Sequence, residues 1–135
     1  EGRRDRIVPD RPVIQRIRDG GILRNAGFGH LSGIGSVERE THLTDNRVEI
    51  IGRIDGTGRR CIRRQFFTPH PVESDGDAVM IDAGAASYRL SMGTGVSLKK
   101  AACWSAYGAG SPGTLIVSER SGALPFDTVA ILERY

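Results

Sequence analysis

The sequence predicts an all-β protein: an antiparallel sandwich or barrel of about eight short strands, with one short helix near the N-terminus. Three observations lead there. Short runs of β-branched and aromatic residues alternate with polar ones from Ser36 to the C-terminus. Glycine-rich turn clusters punctuate them, with 18 glycines in 135 residues, a spacing typical of sandwiches and barrels. The length itself suits one domain that buries about two-thirds of its unfolded surface without staples. A single β-rich domain over 1–135 is therefore expected, with 1–10 as an extended basic arm.

The arm is charged and ends at Pro9. Asp10 can cap a following helix and Pro12 is tolerated in a first turn, while Val13, Ile14 and Ile17 fall on one helical stripe, so a helix is predicted over 11–19. Gly20 and Gly21 stop it. From Gly20 to Gly35 the chain reads as a turn-rich connector. Its pattern Gly27-x-Gly29-x-x-x-Gly33 misses the dinucleotide-binding spacing, with no strong strand before it and no helix after it. Ser36 to Thr44 alternates as a strand, with Val37 and Leu43 inward and Glu38-Arg39-Glu40 at its centre.

Two β-like runs follow, Arg47 to Ile54 and Arg59 to Phe67, separated by Asp55-Gly56-Thr57-Gly58. Asp-Gly with a second glycine supplies positive-φ positions at no Cβ penalty, so a hairpin is predicted. An odd loop with a bulge near Gly58 puts Val48, Ile50 and Ile54 on one face with Ile62 and Phe66, and leaves Glu49, Arg53, Arg63 and Gln65 on the other. Arg60 and Arg64 fall on the apolar side, where they snorkel at an edge or pair with a carboxylate. Beyond the stiff Thr68-Pro69-His70-Pro71 segment, strands are predicted over 78–82, 87–92, 96–107, 114–119 and 128–134. Between them stand clusters such as Ala83-Gly84 and Gly93-Thr94-Gly95.

Charge is uneven. The net charge is +3, but residues 1–24 hold seven arginines against four acids and 53–64 hold five against one, while 25–52 and 65–135 are each net −2. Only Lys99 and Lys100 are lysine among 19 basic residues. Arginine favours bidentate carboxylate or phosphate contacts and stacking. Arg53, Arg59, Arg60, Arg63 and Arg64 are thus candidates for a protein interface or an anionic partner, with neutralisation by neighbouring acids as the plain alternative.

Catalytic patterns are missing. Gly29-His30-Leu31-Ser32-Gly33 does not match a serine hydrolase elbow, and there is no phosphate-binding loop, zinc helix or Cys-x-x-Cys pair. The acids Glu73, Asp75 and Asp77 lack the spacing of a calcium loop, so no metal and no cofactor are expected. Cys61 and Cys103 lie in β-like runs and are expected reduced and buried. If there is an enzymatic site, His30 or His70 with Asp75 or Asp77 are its candidates as a general acid-base pairing. No apolar run approaches 18 residues, which predicts a soluble protein without membrane insertion. The compartment stays open.

These features point first to a non-catalytic structural or assembly subunit, of a virion, secretion apparatus or other multi-protein complex, using its arm and arginine-rich face to contact itself or another protein. A small nucleic-acid-binding barrel is the second candidate, with Phe66, Phe67 or Trp104 stacking on bases. A small ligand-binding or hydrolytic barrel with a His/carboxylate site is the third.

Overall fold

The computed structural model describes residues 13–25, 31–93 and 95–135. They form eleven strands: β1 (Val13–Ile17), β2 (Gly20–Asn25), β3 (Ile34–Leu43), β4 (Arg47–Gly56), β5 (Arg59–Thr68), β6 (Val72–Asp75), β7 (Ala78–Asp82), β8 (Ser87–Ser91), β9 (Val96–Ala106), β10 (Ala109–Ala123) and β11 (Phe126–Arg134). An eight-stranded sheet runs β1-β2-β3-β4-β11-β8-β7-β6, and a three-stranded sheet runs β5-β10-β9. Every pairing is antiparallel. The all-β antiparallel expectation holds in this form, as two open sheets and not a closed barrel.

The helix expected over 11–19 is not there. Its described part is the edge strand β1, whose Val13 to Ile17 pair in register with Arg24 back to Gly20. The three apolar residues that suggested a helical stripe are all β-branched, and such side chains lose less freedom in a strand. A nine-residue helix is also too short to hold without packing. The proposed arm, 1–10, lies outside the described residues.

The hairpin is a second correction. β4 has both its edges occupied, by β3 on one side and β11 on the other. β5 therefore leaves that sheet and pairs with β10, so residues 55–58 form a corner between sheets. Gly56 makes the corner feasible: its φ is +143°, and a Cβ there would stand 2.0 Å from the Gly33 carbonyl oxygen. The facing of side chains survives the change of topology. Ile50 and Ile54 on β4 line the space between the sheets together with Ile62 and Phe66 on β5, across the sandwich and not side by side.

The core lies where the small sheet covers β4, β11, β8 and β7. Val79, Ile81, Leu90, Met92, Ile116 and Ala130 are buried there, with Ile50, Phe66, Tyr88, Leu98 and Leu132 packed around them. Ile116, at the middle of β10, is fully enclosed. Strands β1 to β3 carry further apolar side chains on the same face of the sheet. Leu43 is opposite Val48, Leu23 opposite Arg39, and Ile14 opposite Leu23, yet Leu43 is 52% exposed and Ile14 73% exposed.

The cysteines are also not as expected. Both are free but exposed. Cys61 falls on the outward row of β5 between the half-buried Arg60 and Ile62, so period-two alternation alone places it outside.

Candidate functional site

The candidate site is built from the parity of arginines along β5. Arg60, Ile62, Arg64, Phe66 and Thr68 point into the sandwich and are half-buried or buried, whereas Arg59, Cys61, Arg63 and Gln65 are exposed. The five arginines singled out from the sequence are therefore divided among separate surfaces. Arg53 lies on the outer face of the large sheet. Arg63 lies on the outer face of the small one and Arg59 at the corner, while Arg60 and Arg64 point inward; Arg64 lines the inter-sheet cleft, and Arg53 and Arg63 reach it at its rim.

On the outer faces Arg53 and Arg63 meet acids, whereas the exposed Arg59 forms no ion pair among the described residues. Arg53 Nη1 donates to Glu38 Oε1 at 3.0 Å and to Glu40 Oε2 at 2.8 Å, while Arg24 Nε donates to Glu38 Oε2 at 2.5 Å. His42 Nε2 lies 2.6 Å from Glu40 Oε1, which completes a ladder across β2, β3 and β4. The Arg24 hydrogen bond chiefly, opposed by burial, holds the Glu38 carboxyl below its ordinary value. The Arg53 and then the His42 hydrogen bonds do the same for Glu40, and Arg53 is raised in turn. Further along, Arg47 donates to Glu49 and Glu133, both at 3.1 Å. On the small sheet Arg63 Nε donates to Glu119 Oε2 at 2.8 Å, its cross-strand neighbour, and lowers that carboxyl.

In the gap the pattern differs. Arg64 Nη2 donates to the Met92 carbonyl at 2.5 Å. Arg60 donates to the carbonyls of Arg59 and Ser32. Arg120, opposite Ile62 on β10, holds its guanidinium carbon 5.1 Å over the Phe126 ring, a cation–π contact. From the large sheet Arg39 faces them, on the row of Gly52. A cleft of about 350 Å³ opens here, floored by Gly52, Thr128 and Ala130. Among the described residues, Arg39, Arg60, Arg64 and Arg120 form no ion pair with a carboxylate. Burial first, and the Arg120 charge second, push the Arg64 guanidinium below its ordinary value.

A second opening, an apolar cavity of about 410 Å³, is lined by Ile50, Phe66, Ile81, Tyr88, Leu90 and Ile116, with His70 beside Thr68 among its lining. The Thr68 hydroxyl accepts the His70 backbone N–H at 3.2 Å, which with the two prolines fixes the loop. No carboxylate lines this cavity. Asp75 lies on β6 with its carboxylate 3.9 Å from Arg89 Nε, and Asp77 is in the turn between β6 and β7. His70, Asp75 and Asp77 are thus not brought into one cleft, and His30 lies outside the described residues. No group of three or more His, Cys, Asp or Glu able to hold a metal ion occurs among the described residues. No helix among them is long and apolar enough to cross a membrane.

Sequence reasoning did not single out Arg39 or Arg120 as site residues. The signal for Arg120 is its parity with Ile116 and Ser118 on β10. Trp104, 67% exposed, and Tyr107 project on the β9–β10 ribbon beyond the last β5 pairing at Thr68, several residues along the strands from the arginine cleft.

No family model and no curated protein matches the chain. Its fold is similar to that of solved structures. A heparan sulfate lyase HepC mutant from Pedobacter heparinus superposes with a TM-score of 0.64 at 14% identity, covering 93% of this chain and 21% of that one. A heparinase III superposes with a TM-score of 0.65 at 14% identity, over 95% and 21% of the two chains. A 4-alpha-glucanotransferase from Thermococcus litoralis does so with a TM-score of 0.50 at 10% identity, over 90% and 22%. The chain thus spans about a fifth of the length of these proteins. At such identities the likeness is one of fold alone.

Proposed function

We propose that this chain is a non-catalytic β-sandwich module that works by contact inside a larger assembly, through the part of its large sheet that extends beyond the small one. The observation that carries this reading is the exposed apolar side chains on the sandwich-facing side of β1 to β3: Ile14 and Leu23, cross-strand neighbours on the row of Arg39 and Gly52, and Leu43, which continues the row of Val48. Apolar patches of this kind mark contact sites. The fold also makes up only a fifth of the proteins it resembles, where a unit of this size is one part among others. Light scattering across a concentration series tests the reading: a native mass above the 14.6 kDa of one chain is expected, and Ile14→Lys with Leu23→Lys should return a monomer with an unchanged thermal midpoint. A strict monomer at the highest concentration would count against it.

The arginine cleft favours a second reading, that the module belongs to machinery handling an anionic polysaccharide, the kind of molecule that the heparan sulfate lyase is named for. A nucleic-acid partner is less well supported, because of Phe66, Phe67 and Trp104 only the half-buried Phe66 lines the cleft and stacking on open ring faces supplies much of single-strand affinity. Retention on immobilised heparin, falling steeply with salt, is the expected result. Elution at the salt that releases an uncharged column would refute it.

A further inference from the structure

We propose that the inter-sheet cleft lined by Arg39 and Arg64, with Arg60 and Arg120 on the adjoining inward rows of β5 and β10, is a binding site for a ligand bearing a sulfate or phosphate oxyanion, which seats between β3 of the large sheet and β5–β10 of the small one. Arg120 is opposite Ile62, and Ile62 stands between Arg60 and Arg64 on the same inward row. Diagonal neighbours on one face stand about 7 to 8 Å apart, so Arg120 is a neighbour of both Arg60 and Arg64, and its charge is felt at Arg64. Arg39 stands on the row of Gly52, across the gap.

Two features separate this patch from an ordinary arginine-rich surface. The arginines of the outer faces that line no part of the gap or only its rim, Arg24, Arg47, Arg53 and Arg63, are each ion-paired. Arg60 and Arg64 satisfy part of their donors on the carbonyls of Arg59, Ser32 and Met92, and Arg120 rests on an aromatic ring. Carbonyls orient a guanidinium without neutralising it. A half-buried cation beside a second cation is unfavourable unless an opposite charge arrives, and the forked donors match tetrahedral or planar oxyanions bidentately. On the floor the Thr128 hydroxyl fills the space beside Gly52, lying 2.6 Å from where a Cβ there would stand. Glu38, the acid that lines the cleft, is already engaged by Arg24 and Arg53.

The inference deepens the second reading but rests on it only for the source of the oxyanion. Its test is the thermal midpoint of the whole chain in sodium sulfate and in sodium chloride at equal ionic strength, followed by calorimetric titration with inorganic sulfate and with inorganic phosphate. With the ligand at about ten times its Kd, a rise of roughly 3 to 6 °C is expected in sulfate for the wild type. Arg64→Gln with Arg120→Gln should reduce it to under about 1 °C, and Arg47→Gln, at a residue that lies outside the cleft and is paired with Glu49 and Glu133, should leave it intact. Sulfate also stabilises proteins generally by exclusion from their surface, and comparison of the two variants in the same salt cancels that effect. If Arg64→Gln fails to fold, Arg39→Gln with Arg120→Gln serves in its place, since both side chains are exposed. An equal rise in the cleft variant and the wild type, or no heat with either anion, overturns the site. Sulfated disaccharide and adenosine 5′-monophosphate then distinguish the sources: tighter binding of the first than of free sulfate points to a glycan, and of the second to a nucleotide. Sulfate binding without heparin retention keeps the site and sinks the polysaccharide reading. Heparin retention that survives Arg64→Gln with Arg120→Gln does the reverse.

Discussion

The large sheet has two halves with the same alternating pattern and opposite fates. Beneath the small sheet, on β7, β8 and β11, the inward residues Val79, Leu90 and Ala130 are buried. On β1 to β3, Leu43 carries the row of Val79 and Leu90 onward, Ile14 and Leu23 lie on the same face on the row of Gly52 and Thr128, and all three stay exposed. Alternation decides which residues share a face, but only an opposing layer turns that face into a core. Stability thus concentrates in the covered half, and the overhang is the part of the sheet left available for contact.

The strongest way to break this comparison is a pair of truncations. Ile116→Ala removes a fully enclosed side chain from the small sheet where it meets the large one and should cost about 2 to 5 kcal/mol in denaturant unfolding. Ile14→Ala, on the overhang, should cost less than about 0.5 kcal/mol, as surface changes do. Equal losses at the two positions would show that the overhang is packed in solution. Next in size is Gly56→Ala at the corner that carries the chain from β4 to the small sheet. The positive φ and the approach of the Gly33 carbonyl predict a loss of roughly 1 to 3 kcal/mol. A neutral result would mean that the corner relaxes and that the small sheet is held by its pairings alone.

Those two positions also show how far the sequence can be read. The strands from β3 onward follow from their alternation except β6, whose Val72–Asp75 read as part of a turn, and the inward parity of Ile50, Ile54, Ile62 and Phe66 was legible. The partner of β5 was not, because glycines at 56 and 58 signal a turn without saying which strand the chain turns toward. That choice is made by β11, whose Phe126 lies opposite Ile54, and by β10, whose Ala123 lies opposite Arg59, both contacts far away in sequence. β1 was misread because Val13, Ile14 and Ile17 fit a helical stripe and a strand equally well over so few residues. At the site, the split of Arg60 and Arg64 from Arg63 was visible in the period of two. Their lack of carboxylates was not, since pairing with Glu119 or with the Met92 carbonyl depends on the long-range arrangement.

A smaller effect sharpens the contrast between outward and inward arginines. Arg53, Arg59 and Arg63 changed together to Gln remove only exposed charges, and exposed pairs are worth about 0 to 1 kcal/mol each. The thermal midpoint should move by no more than a few degrees. A triple variant that unfolds would show that the outer ion pairs hold the sheets in register.

The smallest effect expected is the pH dependence of the outer ladder, and its sign follows from the depressed carboxyls. Glu38 and Glu40 are held below their ordinary value in the folded chain, chiefly by the hydrogen bonds of Arg24 and Arg53 respectively. In the unfolded chain they titrate near the usual glutamate value of about 4.3. Between the folded and unfolded values the unfolded chain binds more protons, so stability rises with pH there. The contribution is fully present above the unfolded value and is lost as pH falls through the lower, folded ones. Midpoints of the wild type and of Glu38→Gln with Glu40→Gln should therefore differ by a constant small amount from pH 6 to 8 and converge in acid below about pH 4. Because both ladder arginines are about half exposed, added salt should shrink the neutral-pH difference as well. A difference that persists unchanged into strong acid would mean that the glutamates stabilise β3 by packing of their stems and not by charge, and the outer face would then resemble the inner one more than its ion pairs suggest.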